Sequence, residues 1–211
     1  MATSKGENKN LKGKIGNTTT YVLKTQSVTR SIGKSKKKPT KKQLPVRLKV
    51  RMITALLKPV KEFIRIGFED AALNTKWSAY NIATSVNNRK AITGQYPRFE
   101  IDWTQVEFSQ GDMPVLEDVS VQVVEGEMEF RWNPETMLSG MKDSDRVMVL
   151  AYCPEKKSAA YTVDGEKRYK GKERLDFTVY RKKVILHTYI AFIAANRKSI
   201  SNTVYVGEIL W

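Results

Sequence analysis

The chain has 211 residues, 41% of them hydrophobic, which is long enough to bury a core in one large domain or two small ones. Its net charge is +15, and residues 1–65 hold 18 of the 37 Lys and Arg but only 2 of the 22 acidic residues. This distribution excludes a uniformly basic protein and indicates a basic arm on a near-neutral body. Such an arm faces a polyanion, namely nucleic acid, an anionic membrane surface or an acidic subunit face, or it is a solvated tail.

The cysteine content and the hydropathy of the chain indicate the cellular compartment in which the protein is expected. Cys153 is the only cysteine, so no internal disulfide can form, which fits a reducing environment. Residues 1–30 contain no apolar segment of the length that a signal peptide needs, and no stretch approaches the ~20 apolar residues of a membrane span. We expect no transmembrane segment, and a location in the cytoplasm or in a particle assembled there.

The first predicted element is a two-stranded β-hairpin within residues 13–32, rich in Thr and Val, with a reversal at Lys24 and Thr25. A two-stranded hairpin is marginal in water, so it must pack on its own domain or add to the sheet of a neighbouring subunit. The residues predicted to form this assembly edge are Ile15, Thr19, Tyr21, Val28 and Ile32.

A basic linker at residues 33–44 precedes a predicted helix at 45–66, in which Pro59 is expected to cause a break near Lys58. Apolar residues at three- and four-residue steps place one face of this helix in the core. They are Val46, Val50, Ile53, Leu57, Val60 and Ile64. After a turn around Asn74, a second helix is predicted at 77–90, closed by Gly94 and Pro97.

The arm and the first helix turns supply the candidate polyanion-binding residues. These are Lys34, Lys36, Lys37, Lys38, Lys41, Lys42, Arg47, Lys49 and Arg51. Lysine predominates, which favours point-charge attraction to phosphates and therefore binding that is independent of sequence. Residues 22–62 contain no aromatic side chain for base stacking, so duplex or packaged nucleic acid fits better than single strands.

The C-terminal half is predicted to form about seven short strands, which is typical of an antiparallel β-sandwich. The predicted strands are 105–109, 119–123, 127–132, 146–153, 158–163 with a return at 166–169, 175–179, 184–194 and 202–209. The fold class is therefore α+β, with a basic arm and hairpin at 1–44, a helical region at 45–98 and the sandwich at 99–211.

Two stretches carry a resemblance to fibronectin type III domains, which are immunoglobulin-like sandwiches. Glu129-Phe-Arg-Trp132-Asn-Pro134 resembles their second strand, and Tyr189-Ile-Ala-Phe-Ile-Ala-Ala195-Asn196 resembles their sixth. The similarity covers residues 115–209 and implies the sandwich fold. It departs in the loop after Ala195, which is shortened and carries Arg197 and Lys198 where the family has glycine.

The whole chain also resembles a family of Bacteroidota proteins of about this length with no assigned activity. The resemblance rests on Gly13 and Gly16, the Lys-Pro-Thr-Lys-Lys-Gln-Leu run at 38–44, Ala91-Ile-Thr-Gly-Gln-Tyr-Pro97 and Ile101-Asp-Trp103. It implies a fold and no activity.

Residues that could carry catalysis are scarce. His187 is the only histidine and lies within a predicted strand, and Cys153 ends an apolar strand without the flanking pattern of a nucleophile. The loop carboxylates Asp112, Asp118 and Asp143 lack the spacing of an EF-hand. We expect no enzyme activity, metal, cofactor or small-molecule substrate.

Three functions remain open from the sequence. The first hypothesis is a non-enzymatic structural subunit that assembles with its own copies, or into a larger particle, through the hairpin and basic arm. The second is a sequence-independent nucleic-acid-binding protein. The third is a surface adhesion module, since β-sandwiches commonly serve that purpose.

Overall fold

A computed structural model describes residues 12–23, 26–34, 37–73, 75–116, 118–136, 138–177 and 183–211. The chain divides into two compact units, Met1–Thr40 and Lys41–Trp211. In the second unit, mixed helices and antiparallel sheets confirm the α+β class. The predicted reversal at Lys24 and Thr25 and the predicted turn residue Asn74 lie outside the described residues.

The first unit contains a three-stranded antiparallel sheet in the order β1-β2-β3. Its strands are β1 (Gly13–Ile15), β2 (Thr18–Leu23) and β3 (Gln26–Ser31). The predicted two-stranded hairpin corresponds to β2 and β3, and the prediction missed β1. Gly16 adopts φ 55° in the turn between β1 and β2, a left-handed conformation that glycine accepts without steric cost. None of the described side chains of this unit is buried.

The second unit begins with helices. They are α1 (Gln43–Leu57), α2 (Lys61–Gly67), α3 (Glu69–Ala72) and α4 (Ala79–Lys90). A 3₁₀ turn at Lys58–Val60 separates α1 from α2, so the break expected at Pro59 is confirmed. The apolar residues predicted to line one face of α1 are buried only in its C-terminal half. Ile53 and Leu57 are fully buried, whereas Val46 is 59% exposed and Val50 41%.

Two sequence-based predictions fail between α4 and the main sheets. Gly94 and Pro97 do not close the helix, because they belong to a hairpin formed by β4 (Ile92–Gln95) and β5 (Arg98–Ile101). The strand predicted at 105–109 is also wrong. The backbone N–H groups of Phe108 and Ser109 donate to the Thr203 side chain, at 3.1 and 2.6 Å, so side chains take the place of a neighbouring strand.

The remaining strands form two antiparallel sheets. β6 (Val119–Val124), β7 (Glu127–Trp132) and β10 (Lys172–Leu175) make a three-stranded sheet in the order β10-β7-β6. β8 (Arg146–Cys153), β9 (Ser158–Thr162), β11 (Ile185–Ile193) and β12 (Val204–Leu210) make a four-stranded sheet in the order β12-β11-β8-β9.

Two segments of these sheets differ from the predicted strands. The expected return strand at 166–169 does not form, because Arg168–Lys170 is a 3₁₀ turn that Gly171 ends at φ 69°. The strand predicted at 175–179 is shifted toward the N-terminus, since β10 ends at Leu175, and residues 178–179 lie outside the described residues.

The four-stranded sheet is buried on both faces. Side chains of β8 and β11 point alternately to the two faces. Those on one face pack against the sheet β10-β7-β6 in what we call the sheet core. Those on the other face pack against the helices in what we call the helix core. The sheet core includes Met128, Phe130, Trp132, Val147, Val149, Ala151, Cys153, Leu186, Ile190 and Phe192. The helix core includes Ile53, Leu57, Phe63, Ile64, Met148, Leu150, Tyr152, Tyr189, Ala191 and Ile193.

The helix core unites the segments 45–98 and 99–211, which the sequence-based scheme treats as separate domains. Side chains of α1 and α2 pack directly against the outer face of β8 and β11. The structure therefore divides the chain after Thr40 and places the helices and both sheets in one compact unit.

Candidate functional site

The exposed face of α1 carries a stripe of basic side chains. Arg47, Arg51 and Lys58 are exposed at spacings of four and seven residues, so they follow one stripe along the helix. None of the three makes an ion pair with the described residues. Val46 and Val50 lie beside them, and the surface therefore combines uncompensated positive charge with exposed apolar side chains.

The start of α1 adds to this positive potential. Its N-cap, Lys42, provides no side-chain hydrogen bond, and its first turn contains no acidic residue. The free N–H groups of a helix N-terminus carry about half a positive charge, which anions stabilise and cations oppose. Lys41 and Lys42 are both exposed at this end. A bound anion would relieve the repulsion between these lysines and the helix dipole.

The predicted polyanion-binding residues divide between the two units. Lys34, Lys37 and Lys38 are exposed in the first unit, and Lys36 lies outside the described residues. Lys41, Lys42, Arg47 and Arg51 are exposed in the second unit. Lys49 departs from the set, because it is partly buried and its Nζ lies 4.8 Å from the ring centre of Phe99 in β5.

The predicted assembly edge also needs a geometric correction. Over Thr18–Thr20, β2 is paired on both sides, so Thr19 lies in the central strand, as does Tyr21, and the edge strands are β1 and β3. Ile15 is 56% exposed on β1, and Val28 pairs with Tyr21 across β2 and β3. Ile32 follows β3 and donates its backbone N–H to Asn17 O at 2.7 Å.

Successive side chains of each strand point to opposite faces of this sheet, so the two faces carry different residues. Tyr21 and Val28 form a cross-strand pair on one face, where the Arg30 guanidinium lies 5.3 Å from the ring centre of Tyr21. Thr20 and Thr29 form the adjacent pair on the opposite face, and their hydroxyl groups are hydrogen-bonded at 2.9 Å. The first face presents an aromatic and an aliphatic side chain, whereas this pair on the second is polar.

His187 occupies an aromatic cluster on the outer face of the four-stranded sheet. Its ring stacks on Trp103 at 4.3 Å, and its Nδ1 is 3.1 Å from the hydroxyl of Tyr205. Burial lowers the pKa of His187, an effect that nearby Glu208 partly opposes. Cys153 is fully buried in the sheet core. Across the described ranges, no group of three or more His, Cys, Asp or Glu side chains is arranged to hold a metal ion.

No sequence pattern predicted the buried guanidinium of Arg168. This side chain is fully buried and donates to the carbonyl oxygens of Thr136 and Lys142 at 2.6 and 3.1 Å, and to Asp143 Oδ1 at 3.2 Å. Its own carbonyl accepts from the indole of Trp132 at 2.6 Å. Arg168 therefore fixes the loops at one end of the sheets, which is a structural role.

These features define an α+β protein in which the described residues form four antiparallel sheets, a helical layer and an exposed basic helix. The chain belongs to a family of unknown function (DUF6266), whose model matches residues 9–207. No curated protein and no solved structure matches the chain. Within the part of the chain that the structure describes, no helix is both long and apolar enough to span a membrane.

Proposed function

We propose that this protein is a non-enzymatic structural subunit that assembles with copies of itself through its N-terminal sheet. One observation carries the proposal: the strands β1, β2 and β3 form a sheet, and none of the described side chains of this unit is buried. A small sheet without a hydrophobic core gains too little from burial to offset the entropy of ordering its backbone. A partner surface would supply the missing burial.

The chemistry of the sheet indicates how a neighbouring copy binds. Its edge strands β1 and β3 offer backbone N–H and C=O groups to an incoming strand. The face with Tyr21 and Val28 offers apolar area that is only partly covered in the single chain. Contact with a second copy through this face would bury both side chains.

The test is the mass of the purified protein by light scattering from ~50 mM to 1 M salt after nuclease treatment, because screening removes association through exposed charges. The comparison is a chain that begins at Lys41, which retains both cores of the second unit. We expect the full chain to form a larger species that persists at high salt, and the shortened chain to be monomeric. A monomeric full chain would refute the proposal.

We also propose that residues 99–211 form an immunoglobulin-like sandwich of the fibronectin type III kind. If β6, β7, β8, β9, β10, β11 and β12 are lettered A, B, C, C′, E, F and G, the sheets contain A, B and E, and C′, C, F and G. That division matches immunoglobulin-like sandwiches. Trp132 of β7 and Phe192 of β11 meet at 5.4 Å between the sheets, so proton NOEs between these rings test the arrangement.

A second candidate function, sequence-independent binding of nucleic acid, is favoured by the uncompensated charge on α1. The test is the affinity for two DNA duplexes of unrelated sequence as salt is raised. Replacing Arg47 and Arg51 by Gln would reduce the slope of log K against log salt by up to about 1.8, since each released phosphate contact contributes about 0.9. An unchanged slope would exclude α1 as the binding surface.

A further inference from the structure

A cavity of about 380 Å³ opens between α1 and the aromatic cluster on the four-stranded sheet. Its walls come from three parts of the second unit: α1, the segment at 101–103, and the end of β8 with its following turn. The lining residues are Leu48, Arg51, Met52, Ala55, Leu56, Ile101, Trp103, Tyr152, Pro154 and Lys157. The volume lies in the range of small-molecule sites.

The apolar part of the cavity is held rigidly. Trp103 packs over the cross-strand pair His187 and Tyr152, with ring centres 4.3 and 5.5 Å away. Its carbonyl oxygen accepts the hydroxyl of Tyr189 at 2.9 Å. The ring contacts hold the indole on one face, and the hydrogen bond holds its backbone. The aromatic wall is therefore formed before any ligand binds. Preformed walls lower the ordering cost of binding.

Two cations and one hydroxyl group contribute polar side chains to the lining of the cavity. Arg51 and Lys157 are exposed, and neither forms an ion pair within the described ranges. Tyr152 is 2% exposed, yet its hydroxyl has no hydrogen-bond partner among the described residues. Tyr152 lines the cavity, and its phenolic hydroxyl can donate one hydrogen bond to an acceptor bound there.

The backbone at Lys157 is consistent with a role for its side chain. Lys157 adopts φ 51°, a left-handed conformation that costs energy for residues other than glycine, asparagine and aspartate. At this turn the chain places a long cationic side chain where glycine would be less strained. Because Lys157 and Arg51 line the same cavity from different elements, positive charge borders it on two sides.

We propose that this cavity binds a small amphipathic carboxylate, with its apolar body against Trp103, Met52 and Leu56 and its carboxylate between Arg51, Lys157 and the Tyr152 hydroxyl. Burial raises the pKa of Tyr152 to about 12, so the hydroxyl remains a donor at neutral pH. The site goes beyond the assembly function and departs from the sequence-based expectation that no small molecule binds. It needs only residues of the second unit.

The test uses 2-naphthylacetate and its uncharged analogue 2-naphthylethanol with the full-length protein. Binding is followed through the indole N–H signal of Trp103, which Trp103→Phe identifies among the 4 tryptophans. We expect dissociation constants in the millimolar range or tighter for ligands of this size. The carboxylate should bind roughly tenfold more tightly than the alcohol, since two exposed charge contacts contribute roughly twofold each and the hydrogen bond from Tyr152 about two- to threefold.

A matched pair of variants separates the site from general electrostatics. Arg51→Met with Lys157→Met should reduce the tenfold preference to about two- to threefold, the part that the Tyr152 hydroxyl supplies. Arg47→Met with Lys58→Met removes the same two charges from neighbouring positions outside this cavity and should preserve the preference. Tyr152→Phe should weaken the carboxylate a few-fold and leave the alcohol unchanged.

Filling the cavity tests its apolar part independently. Ala55→Leu adds volume on the cavity side of α1 and should weaken both ligands together. The proposal is overturned if neither compound binds at about 10 mM, if both bind equally to the unmodified protein, or if the control pair abolishes the preference. None of these outcomes depends on the oligomeric state, so failure here is distinguishable from failure of the assembly proposal.

Discussion

The protein contains two three-stranded antiparallel sheets that differ in what covers them. In the sheet β10-β7-β6, the central strand carries Phe130, which is fully buried against the four-stranded sheet. In the sheet β1-β2-β3, the central strand carries Tyr21, which is only partly covered. Strand number and pairing are alike, so the difference lies in packing. A sheet is stabilised by the surface it covers, and the described residues of the first unit provide no such surface for the N-terminal sheet.

The largest expected change in the free energy of unfolding separates Phe130 and Tyr21, the aromatic residues on the central strands of the two sheets. Phe130→Ala should destabilise the second unit by about 3–5 kcal/mol, because it leaves a cavity in the sheet core. Tyr21→Ala should change the main unfolding transition by no more than about 0.5 kcal/mol. Urea denaturation of the full chain measures both. Equal losses would mean that the two sheets share one cooperative core, contrary to the division of the chain after Thr40.

Arg168 tests whether the second unit also depends on buried polar contacts. Arg168→Met should cost about 2–3 kcal/mol, because the carbonyl oxygens of Thr136 and Lys142 lose their donor. Arg146→Met is the control, since Arg146 is partly exposed and bonds Gly165 and Asp164 at the surface. It should cost about 1 kcal/mol or less. Similar losses for the two arginines would contradict the structural role of Arg168.

A smaller effect should be a pH dependence of the stability of the second unit, which contains His187. Because the folded state lowers the pKa of His187, the unfolded chain binds its proton first as pH falls below the ordinary value of 6.5. Stability should therefore decrease from pH 7.5 to 5.5, continuing until the pH reaches the lower folded pKa. The loss at pH 5.5 is at most about 1.4 kcal/mol, since that pH is about one unit below the unfolded pKa.

His187→Gln isolates this effect because the chain has a single histidine. The free energy of unfolding of the variant should change less between pH 7.5 and 5.5 than that of the unmodified protein. Equal pH dependence in the two proteins would show that carboxylates, among them the neighbouring Glu208, account for the change. The comparison requires urea denaturation at both pH values, with the ionic strength held constant.

The sequence predicted the central strands best because both of their faces are buried. β8 and β11 form near-continuous apolar runs, which is the pattern of a strand covered on two sides. The break at Pro59 was equally predictable, since a proline in the interior of a helical pattern removes a hydrogen bond and clashes with the preceding turn. In these cases a local pattern and the tertiary structure require the same residues, so short-range reasoning was sufficient.

The hairpin β4-β5 and the strand at 105–109 were mispredicted for a common reason. Gly94 and Pro97 indicate a turn but do not reveal whether it ends a helix or joins two strands. The segment after Trp103 alternates in polarity, yet its N–H groups bond to Thr203, about 95 residues away in sequence. Hydrogen bonds to distant side chains leave no periodic pattern in the chain.

The basic surface could be predicted from charge, but the cavity could not. Arg47 and Arg51 lie on the exposed stripe that their spacing predicts, whereas Lys49 turns toward Phe99, which no helical spacing reveals. The cavity joins Arg51, Trp103 and Lys157 from three distant segments. Only the packing of α1 on the four-stranded sheet brings these side chains together.

We propose that the N-terminal sheet binds a neighbouring copy through the face that carries Tyr21 and Val28. The most direct measurement is the mass of the full-length protein by light scattering at high salt, for two double variants. Tyr21→Lys with Val28→Lys places charge on that face. Thr20→Lys with Thr29→Lys places the same charge on the adjacent pair of the opposite face.

We expect the first double variant to be monomeric, because burying two lysines in the contact is too costly. The control variant should form the same large species as the unmodified protein. Two double variants with the same mass, or an unmodified protein that is monomeric, would contradict the account.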